Sequence, residues 1–135
     1  MEGNPRIRKF FTDGGRQIVT DYYRKTGLLA SNHIIVVQQR ILEEHPWVAM
    51  ELFKALQKSK EVAYQRAKAM QGTYLLFEGE DYKKQTELFG QDPYPLGIKR
   101  NQKMLEVLFR SSHEEGLTKK QARIEDIFHK TTLDT

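Results

Sequence analysis

Asn32-His33-Ile34-Ile35-Val36-Val37-Gln38 is the stretch on which the fold class of this 135-residue chain turns. Its four consecutive apolar residues are all β-branched and read as a short strand, Ile34–Val37, buried on both faces. It is the one good strand pattern in the sequence. A lone strand leaves its own backbone N–H and C=O groups without partners. The reading therefore expects sheet neighbours from chain that this sequence does not contain, with residues 1–135 forming a single segment of a larger core and no domain boundary inside it.

Helical patterns flank that run. Phe10 and Phe11 precede a turn-like Thr12-Asp13-Gly14-Gly15, and the spacing predicts a helix over Arg16–Lys25. Arg24 and Lys25 suit its C-terminal dipole, and Gly27 suits the left-handed position beyond it. A short helical turn is expected over Arg40–Glu44. Pro46 then suits the first position of a long helix to Met70, since its missing N–H costs nothing there. Ala49, Leu52, Phe53, Leu56, Ala63, Ala67 and Met70 recur at helical spacing along it.

Thr73–Phe77 reads as either strand or apolar loop, and Glu80–Phe89 as a short helix stopped by Gly90. Asp92-Pro93-Tyr94-Pro95-Leu96-Gly97 is a rigid connection, each proline fixing its own φ and biasing its predecessor away from helix. A helix follows over Ile98–Glu115, with Met104, Leu105, Leu108 and Phe109 as its stripe. Gly116 and Leu117 suit a Schellman-type stop. Thr118 with Gln121 reads as a capping box for another short helix. Ile124–Phe128 offers a last apolar turn.

Composition narrows the function classes. The hydrophobic fraction, 39%, is slightly low and the charged fraction, 30%, slightly high for a compact globule. They fit one ordinary domain or part of a core completed by other chain, and composition does not separate the two. The absence of cysteine excludes disulfides, thiolate catalysis and cysteine-based metal sites. The net charge of +4 is spread among acids, as in Lys58-Ser59-Lys60-Glu61. A nucleic-acid binder clusters its cations on one face, so that class is set aside. No apolar stretch approaches the roughly 20 residues that span a bilayer, and no signal peptide is visible, so a cytoplasmic location is expected.

The common catalytic constellations are absent: no Walker loop, GxGxxG, HExxH or GxSxG. His33, His45, His113 and His129 lack metal-ligand spacing, so neither a metal nor a cofactor is expected. Asn32 and His33 stand where a loop enters the predicted strand, a frequent place for ligand-contacting groups. Histidine titrates near neutrality and can pair with a carboxylate. The alternative is a strand-edge histidine bonded to nearby backbone. Trp47 reads as packing against the turn before it. Arg16, Arg24, Arg40 and Arg100 are each able to grip a carboxylate bidentately, and spacing selects none of them.

Several strings, taken in order, carry a resemblance. Tyr22-Tyr23-Arg24-Lys25-Thr26-Gly27 is followed by Asn32-His33-Ile34-Ile35-Val36-Val37 and by Leu42-Glu43-Glu44-His45-Pro46-Trp47-Val48-Ala49. Then come Asp92-Pro93-Tyr94-Pro95-Leu96-Gly97, Asn101, His113-Glu114-Glu115-Gly116-Leu117-Thr118 and Glu125-Asp126-Ile127-Phe128. Together they resemble the C-terminal portion of the 4,5-dihydroxyphthalate decarboxylase family, with a departure at Leu29-Ala30-Ser31. The resemblance implies an α/β fold of the type II periplasmic-binding kind, two lobes around a cleft. On that view this part is mainly helical, with Ile34–Val37 as its principal strand. It implies non-oxidative decarboxylation of a small aromatic dicarboxylate to protocatechuate, with the isolated chain inactive. It nominates His33 as the acid or carboxylate anchor, and Asn32 as a hydrogen-bond partner of substrate. Two alternatives stand beside it. One is part of a module, periplasmic in that case, that binds a carboxylated small molecule without chemistry. The other is a stand-alone helical interaction module. Self-association through an exposed apolar face is expected of the isolated chain.

Overall fold

The computed structural model describes residues 8, 10–11, 13–31, 33–70 and 78–135. Among the described residues six helices follow one another: α1 (Arg16–Thr26), α2 (Gln39–Glu44), α3 (Val48–Met70), α4 (Glu78–Phe89), α5 (Ile98–Glu114) and α6 (Ile124–Ile127). A 3-10 turn over Lys130–Thr132 comes last. The mainly helical expectation holds. The expected strand does not. Among the described residues there is no strand and no sheet, and Ile34–Val37 runs without regular structure. The α/β, two-lobed expectation drawn from the family resemblance is overturned for this chain, which shows no sheet among the described residues. The physical reason is the one that made the segment notable: β-propensity is a preference for a pleated, half-buried surface, and here no second strand provides it. Ile34, Ile35 and Val36 are all exposed, Val36 to 83%. The Thr73–Phe77 reading lies outside the described residues.

The helix ends follow local chemistry. The Asp13 carboxylate accepts the N–H groups of Gly15 and Gln17, each at 2.9 Å. It thus satisfies donors that the start of α1 leaves open. At the far end the Gly27 N–H reaches the Tyr23 carbonyl at 2.7 Å. The long helix begins two residues later than expected. Pro46 and Trp47 form a turn ahead of it, with the Val48 N–H on the His45 carbonyl at 3.0 Å. Trp47 lies near the His45 ring, 6.0 Å between centroids, yet stays mostly exposed.

Helix α5 stops as its sequence predicts. Gly116, at φ +75°, donates to the His113 carbonyl at 3.0 Å, and Leu117 donates to the Ser112 carbonyl at 2.9 Å. That pair of bonds is a Schellman motif, and the positive φ is why glycine sits there. The capping box at Thr118 is not used. Its N–H also turns back to the Ser112 carbonyl, at 3.2 Å, and residues 117–120 form bends rather than a helix.

α3 packs against α2, α4 and the 3-10 turn. α1 is tied on from outside. Arg16 pairs bidentately with Asp81 of α4, at 2.8 and 3.1 Å. The Tyr23 and Phe89 rings meet edge to face at 4.8 Å, and Lys103 Nζ of α5 donates to the Thr26 carbonyl at 2.8 Å. The apolar packing is thin. Among the described residues only Ile98 and Leu105 count as buried hydrophobic core, 7% and 8% exposed. The chain exposes 11510 Å², whereas a compact monomer of its mass exposes about 7,400 Å².

Candidate functional site

Among the described residues an open groove of ≈ 550 Å³ lies between the 33–37 segment, α3, α5 and the C-terminal residues. Ile34 to Val37 form one side, Leu52, Phe53 and Leu56 of α3 another, and Met104, Leu105, Leu108 and Phe109 of α5 a third. The stripes that drive α3 and α5 to be helical therefore face a shared space, and the space is largely unfilled. Its few polar contributors are Ser31, His33, Asn101, His129, Thr132 and Thr135. Among the described residues no lysine, arginine, aspartate or glutamate lines it.

His33 stands at this groove, with an exposed side chain. The Ser31 hydroxyl donates to its backbone carbonyl at 3.3 Å. Its expected companion, Asn32, lies outside the described residues. The other histidines divide. His129 also lines the groove, with Nδ1 2.8 Å from the Thr131 hydroxyl, while the Nδ1 of His113 lies 3.2 Å from the Thr118 carbonyl, away from the groove. Among the described residues no cluster of three or more histidine, aspartate or glutamate side chains is spaced to hold a metal ion.

The best-built polar constellation lies beside the groove. Asp92 receives Lys60 Nζ on both oxygens, each at 2.9 Å, the Tyr64 hydroxyl at 3.0 Å and the Arg100 guanidinium at 2.7 Å. Lys60 Nζ also donates to the Tyr94 carbonyl at 3.0 Å. The Lys60 and Asp92 side chains are only 14% and 21% exposed. Burial pushes the Asp92 carboxyl up, but the donors from Lys60, Tyr64 and Arg100 outweigh it and hold the group below the ordinary carboxylate range. Burial, and then the bond to Asp92, push the Tyr64 phenol up to about 12. Asn101 Nδ2 adds bonds to the carbonyls of Pro95 and Gly97, both at 2.7 Å. Residues 92–97 are thus fastened by side chains, and Pro95, Leu96 and Gly97 form part of the groove wall.

This arrangement was not foreseen from sequence, although two of its members were noticed. Tyr94 stands between the two prolines, and its carbonyl accepts Lys60 Nζ. Arg100 was a candidate carboxylate grip, and its carboxylate is Asp92 of the chain itself. Arg16 is engaged likewise by Asp81, and Arg40 Nε bonds the Gln38 side chain at 2.8 Å. The only advance signal was the pair of prolines around Tyr94. The pairing of Lys60 with Asp92 joins residues far apart in sequence and leaves no local pattern.

No family model matches the chain. Among curated proteins, 4,5-dihydroxyphthalate decarboxylase of Comamonas testosteroni is 27% identical over 135 residues, which covers 98% of this chain and 41% of that protein. The match supports a distant relationship. The chain spans about two fifths of the length of the curated relative. No described helix is long and apolar enough to cross a membrane.

Proposed function

We propose that this chain is one part, the C-terminal one, of a carboxy-lyase acting on a small aromatic dicarboxylate of the 4,5-dihydroxyphthalate kind. The carrying observation is the relationship to a protein of that name along 98% of the chain. In such a reaction the ring carbon bearing the carboxylate takes a proton. The carbon–carbon bond then breaks, its electron pair returns to the ring and carbon dioxide leaves. A ring hydroxyl para to that carboxylate stabilises the protonated ring, and the product is protocatechuate. The protein must supply a positioned acid, cations for the carboxylates and a site closed to water.

His33 is our candidate for the acid or for a carboxylate anchor, with Asn32 hydrogen-bonding the substrate beside it. His33 is exposed at the groove, where a donor can be presented to a ligand. The 135 residues alone do not enclose a substrate, and turnover requires the further length that the relative has. The test is carbon dioxide release from 4,5-dihydroxyphthalate by the longer protein that carries this chain. His33→Ala is expected to lower turnover about 100-fold or more, the scale of a lost general acid, with folding unchanged by circular dichroism. His113→Ala is expected to leave turnover as it was. Equal turnover of His33→Ala and the parent removes the catalytic assignment. Binding without carbon dioxide release replaces the enzyme by a ligand-binding protein. Release by the 135-residue chain alone refutes the requirement for more chain.

A further inference from the structure

The groove and the proposed substrate do not match chemically. A dicarboxylate carries two negative charges, and burying them requires paired cations. Among the described residues the groove wall holds no lysine or arginine, and Arg16 and Arg100 already hold carboxylates of this chain. What the wall does hold is aliphatic and aromatic: Ile35, Val36, Leu52, Phe53, Leu105 and Leu108 are representative. Such a surface is stabilised by apolar atoms packed against it, at about 25 cal/mol per Å² removed from water. Ile35, Val36 and Leu108 of it face solvent here, in a chain whose exposed area exceeds that of a compact protein of its mass. Residues 33–37 add backbone groups that make no backbone–backbone hydrogen bond among the described residues. Apolar side chains and open peptide groups side by side fit polypeptide and fit a dianion poorly.

We infer that the groove is a docking face for polypeptide of the same protein, the part corresponding to the roughly three fifths of the relative's length that this chain does not match, and is not itself the substrate cleft. The inference rests on the relationship used under Proposed function. That relationship names an occupant of the right kind and in fixed one-to-one supply. The inference also relocates the chemistry. Substrate is expected at the rim, where His33 meets the docked polypeptide, and the cations for its carboxylates come from the docked part.

The test co-expresses the 135-residue chain with the unmatched portion of the Comamonas testosteroni decarboxylase, only the first being tagged. The expected result is a one-to-one complex on affinity and size-exclusion columns. Slower amide hydrogen exchange over residues 33–37 and along the groove side of α5 should accompany it. Ile35→Glu and Leu108→Glu alter side chains already exposed, so each variant should fold, and each should reduce capture at least tenfold. Arg110→Ala should leave capture unchanged. Failure to form the complex overturns the inference. So does capture that survives both groove substitutions. A groove that buries only a second copy of this chain, seen as a dimer that Ile35→Glu dissolves and the co-expressed portion does not displace, overturns it too. So does binding of 4,5-dihydroxyphthalate by the chain alone that Leu108→Glu abolishes. A complex that forms without releasing carbon dioxide from 4,5-dihydroxyphthalate leaves the docking intact and counts against the proposed activity, so the two failures are distinguishable.

Discussion

Asp92 has no hydrophobic reason to be partly buried; three donors hold it there. Removing its carboxylate leaves Lys60 with its charge in a mostly covered position, and hydrogen bonds to charged groups are worth about 1.5–3 kcal/mol each. Asp92→Ala is expected to lose stability on that scale in urea denaturation at neutral pH. Lys60→Met, which removes the cation but keeps the stem, should lose less. The pH dependence has a definite sign. The Asp92 carboxyl is held below its ordinary range in the folded chain. Its contribution is therefore present above the unfolded-state value, about 3.9, and is lost as pH falls through the lower folded-state value. The stability gap between parent and Asp92→Asn should be wide at pH 7 and shrink in acid; a gap constant with pH would refute the pairing. Tyr64 runs the other way. Its phenol is pushed up to about 12, by burial first and by Asp92 next. Its contribution is whole below the ordinary value near 10 and fades as pH rises toward the folded value. Ultraviolet titration should find one late-ionising tyrosine that is absent from Tyr64→Phe and earlier in Asp92→Asn.

The helices were legible because their stripes and stops are local. A 3.6-residue recurrence marks α3 and α5, and Gly27, Gly90 and Gly116 close three helices where the pattern ends. Ile34–Val37 was misread because a strand is not a local object. The same four side chains that predict one are equally at home along the wall of a groove. The Asp92 constellation was invisible for a related reason: it exists only once α3, residues 92–97 and α5 meet. His33 was legible as a candidate by its place before the apolar run, while His129 reaches the same groove from near the other end of the chain and had no such cue. At this scale α5 carries the sharpest test. Leu105 is buried and Leu108 is half exposed on the same helix. Leu105→Ala should cost about 2–4 kcal/mol, and Leu108→Ala less than about 1 kcal/mol. Equal losses would mean that the groove is filled in the isolated chain.

For the whole molecule the expectation is incomplete cooperativity. With Ile98 and Leu105 as the buried hydrophobic core among the described residues, the isolated chain should bind anilinonaphthalene sulfonate, self-associate as concentration rises and unfold over a broad denaturant range. A monodisperse monomer with a sharp transition and no dye fluorescence would contradict that. Its parts are also held by different kinds of bond. The Lys60–Asp92 pair is mostly covered, but the Arg16–Asp81 pair that fastens α1 to α4 is open to water, its side chains 72% and 47% exposed. Mobile ions screen exposed charges over about 10 Å at 0.1 M ionic strength and 3 Å at 1 M, and reach covered ones far less. Raising ionic strength should therefore loosen α1 while residues 92–97 stay in place. Trypsin would then cut sooner after Arg24 and Lys25, and the chain would shed its first helix before any other.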